Sequence, residues 1–134
     1  RRLHKALTKY PLPDNMRVIG FTSRMPLYMD AADLILTKPG GLSSTEAAVK
    51  ALPMLFIDAV PGCETRNFEF FLENGFADMR DSVLGLCDAV CELLENDQKL
   101  KKMSEILKSE FSGCAVQSIS EYVIKDVDRT YGRL

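Results

Sequence analysis

A chain of 134 residues with 46% hydrophobic and 27% charged side chains has the composition of one soluble globular domain, or a piece of one. Its net charge of −2 gives no bulk electrostatic pull toward nucleic acid. Its apolar runs are too short to span a bilayer, and each is broken by a charge or a proline.

No signal peptide is visible, and the start at Arg1-Arg2 without an initiator methionine leads us to expect an upstream segment. The four cysteines, Cys63, Cys87, Cys91 and Cys114, form no C-x-x-C pair, and the single histidine, His4, lies far from them. The set therefore argues against a zinc site. Cys87 and Cys91, four apart among apolar residues, are expected on the buried face of a helix as small hydrophobes in a reducing compartment. Cys63, beside a glycine, is expected to be exposed.

In chain order, Arg1 to Tyr10 reads as the end of a helix, with Leu3 and Leu7 four apart, and Pro11 to Asn15 as a loop. Met16 to Phe21 reads as a strand ending at Gly20, and Pro26 to Ala32 as a short helix packing Leu27, Met29 and Ala31 or Ala32 inward. Asp33 to Thr37 is a short apolar strand. Pro39-Gly40-Gly41 breaks it, because proline lacks an N–H and glycine opens φ > 0. Ser43 and Glu46 have the S-x-x-E spacing of a capping box, which places a helix from Ser44 to about Ala51. After Pro53, Met54 to Ile57 is apolar throughout, the mark of a strand buried on both faces.

Asp58 to Thr65 is a second loop, followed by an aromatic-rich helix from Arg66 that Asn74-Gly75 closes. Phe76 to Met79 suits a short edge strand. Asp81 or Ser82 caps a helix with Val83, Leu86, Cys87, Val90, Cys91 and Leu94 on one stripe. Asn96-Asp97 restarts the chain into a helix with Leu100, Met103, Leu107 and Phe111. A last helix, with Val116, Ile119, Val123 and Val127, runs to about Tyr131. All three stripes are read as core packing, and Lys99, Lys101, Lys102 and Lys108 as a solvated face.

Strands alternating with helices make this an α/β chain with a Rossmann-like parallel sheet flanked by helices. Ligands of such sheets bind outside the carboxyl ends of the strands. Three loops leave those ends: Phe21 to Met25, Lys38 to Ser44 and Asp58 to Glu64. Strand, glycine turn and helix start is a geometry that holds anions, with backbone close to a ligand and free N–H groups pointing at it; taken alone, Gly-Gly before a helix is more often an ordinary strand-to-helix loop. The strict phosphate patterns G-x-x-x-x-G-K-[ST] and G-x-G-x-x-G are both missing. Read locally, Glu46 is either a cap or a carboxylate for ribose hydroxyls. Ser43, Ser44 and Thr45 are either cap residues or diphosphate donors. Lys38 is either solvated or a phosphate neutraliser. Glu64 is either an acid favoured by the helix macrodipole or, with Asn67 on the same face, a sugar-binding group. His4 reads as a surface residue, and no nucleophile–base pair stands out.

Taken together, Gly20-Phe21, Asp33, the run Lys38-Pro-Gly-Gly-Leu-Ser-Ser-Thr-Glu-Ala47, Pro53, and Pro61-Gly-Cys-Glu-Thr-Arg-Asn67 follow an order and spacing similar to one known family. They resemble the sugar-nucleotide-binding, C-terminal half of GT-B glycosyltransferases. The nearest likeness is to the family of the monogalactosyl- and glucosyl-diacylglycerol synthases and the peptidoglycan enzyme MurG. The resemblance covers Met16 to Ala77 best.

It implies a UDP-sugar donor, a hexose transferred to a diacylglycerol-like lipid, no further cofactor and no metal. It also implies a cytoplasmic protein, peripheral at the inner face of a membrane. By resemblance, Phe21 would lie by the uracil through its backbone. Gly40, Gly41, Ser43, Ser44 and Thr45 would hold the diphosphate, Glu46 the ribose, and Glu64 and Asn67 the hexose. The diacylglycerol enzymes usually carry glutamine where Cys63 stands, which leaves the donor sugar open. The family's first strands, its first glycine-rich loop and its acceptor domain with the catalytic base have no counterpart here. The chain is therefore expected to be the distal part of one donor-binding domain, with an incomplete sheet and no activity alone. A UDP-sugar 2-epimerase of the same fold and a non-catalytic α/β binding module are the alternatives.

Overall fold

The computed structural model describes residues 2–80, 82–111, 113 and 115–132, without the side chains of Leu3 and Val83. Its elements are α1 (Arg2–Leu7), α2 (Met25–Asp30), β1 (Ile35–Thr37), α3 (Gly41–Val49), β2 (Met54–Phe56), α4 (Thr65–Glu73), β3 (Ala77–Met79), α5 (Val83–Glu95), α6 (Asp97–Glu110) and α7 (Ala115–Tyr131). The strands form one parallel sheet in the order β1-β2-β3, with Ile35, Met54 and Ala77 in register. This is the expected Rossmann-like α/β arrangement. Among the described residues no helix is long and apolar enough to cross a membrane.

β2 is the centre because it can be buried on both faces. Met54, Leu55 and Phe56 are all sealed from solvent. Period-2 alternation divides them. Met54 and Phe56 pack with Ala47, Ala48, Phe71, Phe76 and Leu107, and Leu55 packs on the other face with Ala89, Leu93 and Met103. Small alanines on α3 let that helix approach the sheet closely. Phe71 meets Phe56, Phe70 and Phe76 edge-on at centroid separations of 5.9, 5.5 and 5.9 Å, within the favoured range for aromatic pairs.

Helices α3 and α4 end alike. After α4, Gly75 has φ +70° and the Phe76 N–H bonds the Phe71 carbonyl at 2.9 Å. After α3, Ala51 has φ +53° and the Leu52 N–H bonds the Ala47 carbonyl at 3.0 Å. Both are Schellman closures, and one of them places an alanine where glycine is the unstrained residue. Ser82 caps α5, its Oγ accepting from the Gly85 N–H at 3.0 Å, and Asn96 caps α6 in the same way from Lys99. The alternative cap at Asp81, and Cys114, lie outside the described residues.

Several expectations are corrected. Residues 16–21 carry no strand. A parallel strand exists only through its ladder, and β1 has only β2 beside it among the described residues. Helix α3 starts at Gly41 with Gly40 as N-cap, so Ser43 and Glu46 form no capping box. α2 ends at Asp30, and of its expected packing residues only Met29 is buried; Leu27, Ala31 and Ala32 are exposed. Cys87 and Cys91 are exposed. The buried arc of α5 is Leu86, Ala89, Val90 and Leu93, one full i, i+3, i+4, i+7 set lying beside the cysteines. Helix α7 buries nothing: Val116, Ile119, Val123 and Val127 are all exposed. Periodicity showed that α7 has an apolar stripe, and the sheet faces are already covered by α3 to α6. The α6 stripe packs as expected, with Met103 and Leu107 buried.

Candidate functional site

The two loops that leave β1 and β2 meet at the carboxyl edge of the sheet. The first turns tightly at Pro39, where the Gly40 N–H bonds the Lys38 carbonyl at 2.8 Å across three residues, a γ-turn suited to proline's fixed φ. Helix α3 begins at once. Its N-cap is Gly40, which has no side chain to cap with, and no side-chain hydrogen bond replaces it. The first intrahelical bond is Ser44 N–H to the Gly40 carbonyl at 3.0 Å. The N–H groups of Gly41, Leu42 and Ser43 thus have no acceptor among the described residues, while Leu42 and Ser43 face solvent. Free donors plus the positive end of a helix dipole favour an anion.

The neighbouring hydroxyls differ in role. Ser44 is sealed from solvent and its Oγ donates to the Gly40 carbonyl at 2.8 Å. It holds the turn from beneath and does not present its hydroxyl to a ligand. Thr45, exposed, donates to the Gly41 carbonyl at 2.7 Å. Ser43 is exposed at the mouth. Glu46 is exposed, and its carboxylate has no partner among the described residues. It stands about 7.5 Å along the helix from Gly41.

The second loop folds onto this turn. Gly62 has φ +84°, a conformation that needs glycine, and its N–H bonds Thr65 Oγ1 at 3.0 Å. Glu64 Oε2 accepts from the Val60 N–H at 2.6 Å. Its other oxygen faces the glycine turn: a Cβ built on Gly40 would lie 3.7 Å from Glu64 Oε1. Asn67 Nδ2 would lie 3.5 Å from a Cβ on Gly41, and it donates to the Pro39 carbonyl at 3.3 Å. Lys38 Nζ pairs with Asp58 Oδ2 at 2.8 Å, and Asp58 Oδ1 accepts the Ala59 N–H at 2.8 Å. The hydrogen bond from Lys38 holds the Asp58 carboxyl below its ordinary range, and the same bond raises Lys38.

So Glu64 and Asn67 of the second loop lie against Gly40 and Gly41 of the first, with Ser43 two residues further along α3. Phe21 is not tied to them. It stands fully open to solvent, and no hydrogen bond among the described residues joins its loop to the other two. Cys63 is exposed, as expected. Sequence reasoning missed Asp58 and the inter-loop role of Lys38. Their signal is positional: each follows closely on a strand, and the two strands are adjacent. A cavity of about 500 Å³ opens at the opposite, amino end of the strands between Asp33, Lys50, Pro53 and Lys101. It has mixed charge and no glycine turn, and we place the site at the carboxyl end.

Residues 2–118 match the model of the glycosyltransferase family 28 C-terminal domain. The chain belongs to that family. This glycosyltransferase family 28 domain is 30% identical over 122 residues to a processive diacylglycerol beta-glucosyltransferase of Staphylococcus aureus strain MRSA252, covering 90% of this chain and 31% of that protein. It is likewise 30% identical over 120 residues to the protein of the same name from strain Newman, covering 89% and 31%. The family 28 domain therefore spans about a third of the length of these relatives. The resemblance read from the Lys38 to Ala47 and Pro61 to Asn67 stretches is borne out at the level of the family.

Proposed function

We propose that this chain is the distal part of the donor-binding domain of a glycosyltransferase that moves a hexose from a UDP-sugar to a diacylglycerol-like lipid. The observation that carries it is the uncapped N-terminus of α3 at the Gly40-Gly41 turn, with Glu64 and Asn67 aimed at the same turn. The diphosphate sits at the free N–H groups of Gly41, Leu42 and Ser43, with Ser43 and Thr45 at its edge and Ser44 shaping Gly40 from below. Donors preorganised there stabilise charge on the departing diphosphate. Glu46, uncommitted within the chain, takes the ribose hydroxyls. Glu64 and Asn67 face the hexose, and the Phe21 backbone meets the uracil once its loop is drawn in. The lipid site, the catalytic base and any peripheral membrane contact are assigned to the part of the parent protein beyond this chain.

The test is UDP titration by calorimetry on the full-length protein, wild type against Glu46→Gln. Glutamine keeps size and loses the charge-assisted bonds, worth roughly 1.5–3 kcal/mol each. Affinity is expected to fall about tenfold or more at unchanged melting temperature. Equal affinities would remove Glu46 from the site. Absence of UDP binding in the wild type would leave a non-catalytic α/β module.

A further inference from the structure

We propose that Lys38 and Asp58 form a positioning pair, a clasp that keeps the hexose-facing loop in register with the diphosphate-facing turn. The inference rests on the donor-site reading above and deepens it.

Lys38 is the first residue past β1, and Asp58 is the second past β2. The sheet ladder runs up to them, with the Ile57 N–H bonding the Thr37 carbonyl at 3.1 Å. Beyond that bond the two backbones part. One turns at Pro39 into α3 and the other makes the Val60 to Glu64 turn. The Lys38–Asp58 contact at 2.8 Å is the first link across the gap, and Asn67 to the Pro39 carbonyl at 3.3 Å is the next. Both carboxylate oxygens of Asp58 are engaged, Oδ2 by Lys38 and Oδ1 by the Ala59 N–H. The pair therefore fixes the start of the loop that ends in Glu64. Glu64 also lies in the field of Lys38.

An exposed ion pair adds little to overall stability. Its effect here is on where Glu64 stands relative to Gly40. A ligand that touches only the glycine turn is indifferent to that relation, and a ligand that touches both loops is not. UDP is of the first kind, and a UDP-hexose is of the second.

The experiment compares Lys38→Met, Asp58→Asn, the double variant and Lys38→Arg in the full-length protein. The amide introduced by Asp58→Asn still offers an oxygen to the Ala59 N–H, so only the pair is removed. Each single variant is expected to raise KM for the UDP-sugar about two- to fivefold, with kcat unchanged and UDP affinity altered by less than about twofold. The double variant should be no worse than either single, because the two residues act as a unit. Lys38→Arg should restore the wild-type value. Equal weakening of UDP and UDP-sugar would overturn the proposal by making Lys38 a direct diphosphate ligand. Additive losses, or none, would overturn it too. Hydrogen exchange at the Val60 and Glu64 amides of ligand-free Lys38→Met separates this from failure of the donor reading. Wild type that binds no UDP overturns that reading, whereas unchanged exchange overturns the clasp.

Discussion

Asn67 and Pro39, 28 residues apart, are joined by one hydrogen bond: the Asn67 amide donates to the Pro39 carbonyl at 3.3 Å. Pro39 is buried and Asn67 half-buried, so the carbonyl has little water to turn to. Asn67→Asp keeps the shape, removes the donor and sets a carboxylate against a carbonyl. We expect a loss of about 1–2 kcal/mol in urea unfolding, accompanied by weaker donor binding. Loss of binding at unchanged stability would make Asn67 a ligand contact only.

Gly40 has an ordinary extended backbone, φ −74° and ψ 138°, so no conformational rule demands glycine there. A methyl group would meet Glu64 Oε1 at 3.7 Å, ordinary contact. Alanine is a poorer N-cap than glycine, partly offset by its smaller loss of chain entropy, so Gly40→Ala should still fold, with stability lowered by no more than about 1 kcal/mol. The methyl stands where a ligand would approach the turn, so UDP affinity should fall at least about tenfold. Calorimetry and a melting curve on one sample distinguish the two effects.

Ala51 occupies at φ +53° the position that Gly75 fills after α4. A left-handed conformation costs an L-residue about 1–2 kcal/mol, partly offset by the greater chain entropy lost when glycine is fixed. Ala51→Gly should stabilise by about 0.5–1 kcal/mol, read as a higher urea midpoint at unchanged slope.

Asp78 bears on acid stability. Burial raises its pKa, but the Met79 N–H, Arg80 and Lys99 outweigh burial and lower it overall. A carboxyl lowered in the folded state adds stability that is fully present above its unfolded pKa, about 3.9, and is lost as pH falls through the folded value. Asp78→Asn should therefore destabilise at neutral pH and flatten the dependence below about pH 4. Identical acid unfolding curves for variant and wild type would refute this.

What could be read from sequence was whatever local chemistry decides. Met54 to Phe56 is apolar enough to be central in any α/β sheet, and Asn74-Gly75 closes a helix wherever it stands. Other features depended on neighbours. The Met16 to Phe21 segment has strand composition, but a strand needs a second chain segment at hydrogen-bonding distance. Ser43 and Glu46 have cap spacing, but Gly40 and Gly41 let the helix begin earlier and moved both residues inside it. Cys87 and Cys91 pass for core residues by polarity, and only the full set Leu86, Ala89, Val90 and Leu93 shows which arc of α5 turns inward. The meeting of Lys38 with Asp58 follows from strand pairing, so their positions just past two strands carry it only once those strands are set side by side.

That pairing has a consequence for inheritance of change. Thr37 stands opposite Phe56 in the parallel register, and the residues just beyond them begin the two site loops. The Lys38–Asp58 and Asn67–Pro39 links tie the two loops to each other, and both loops start from the last rung of the core ladder. A substitution that shifts Phe56 by a few tenths of an ångström, far too small to unfold the chain, would move the start of both site loops. Core variants of this domain should lose ligand before they lose structure.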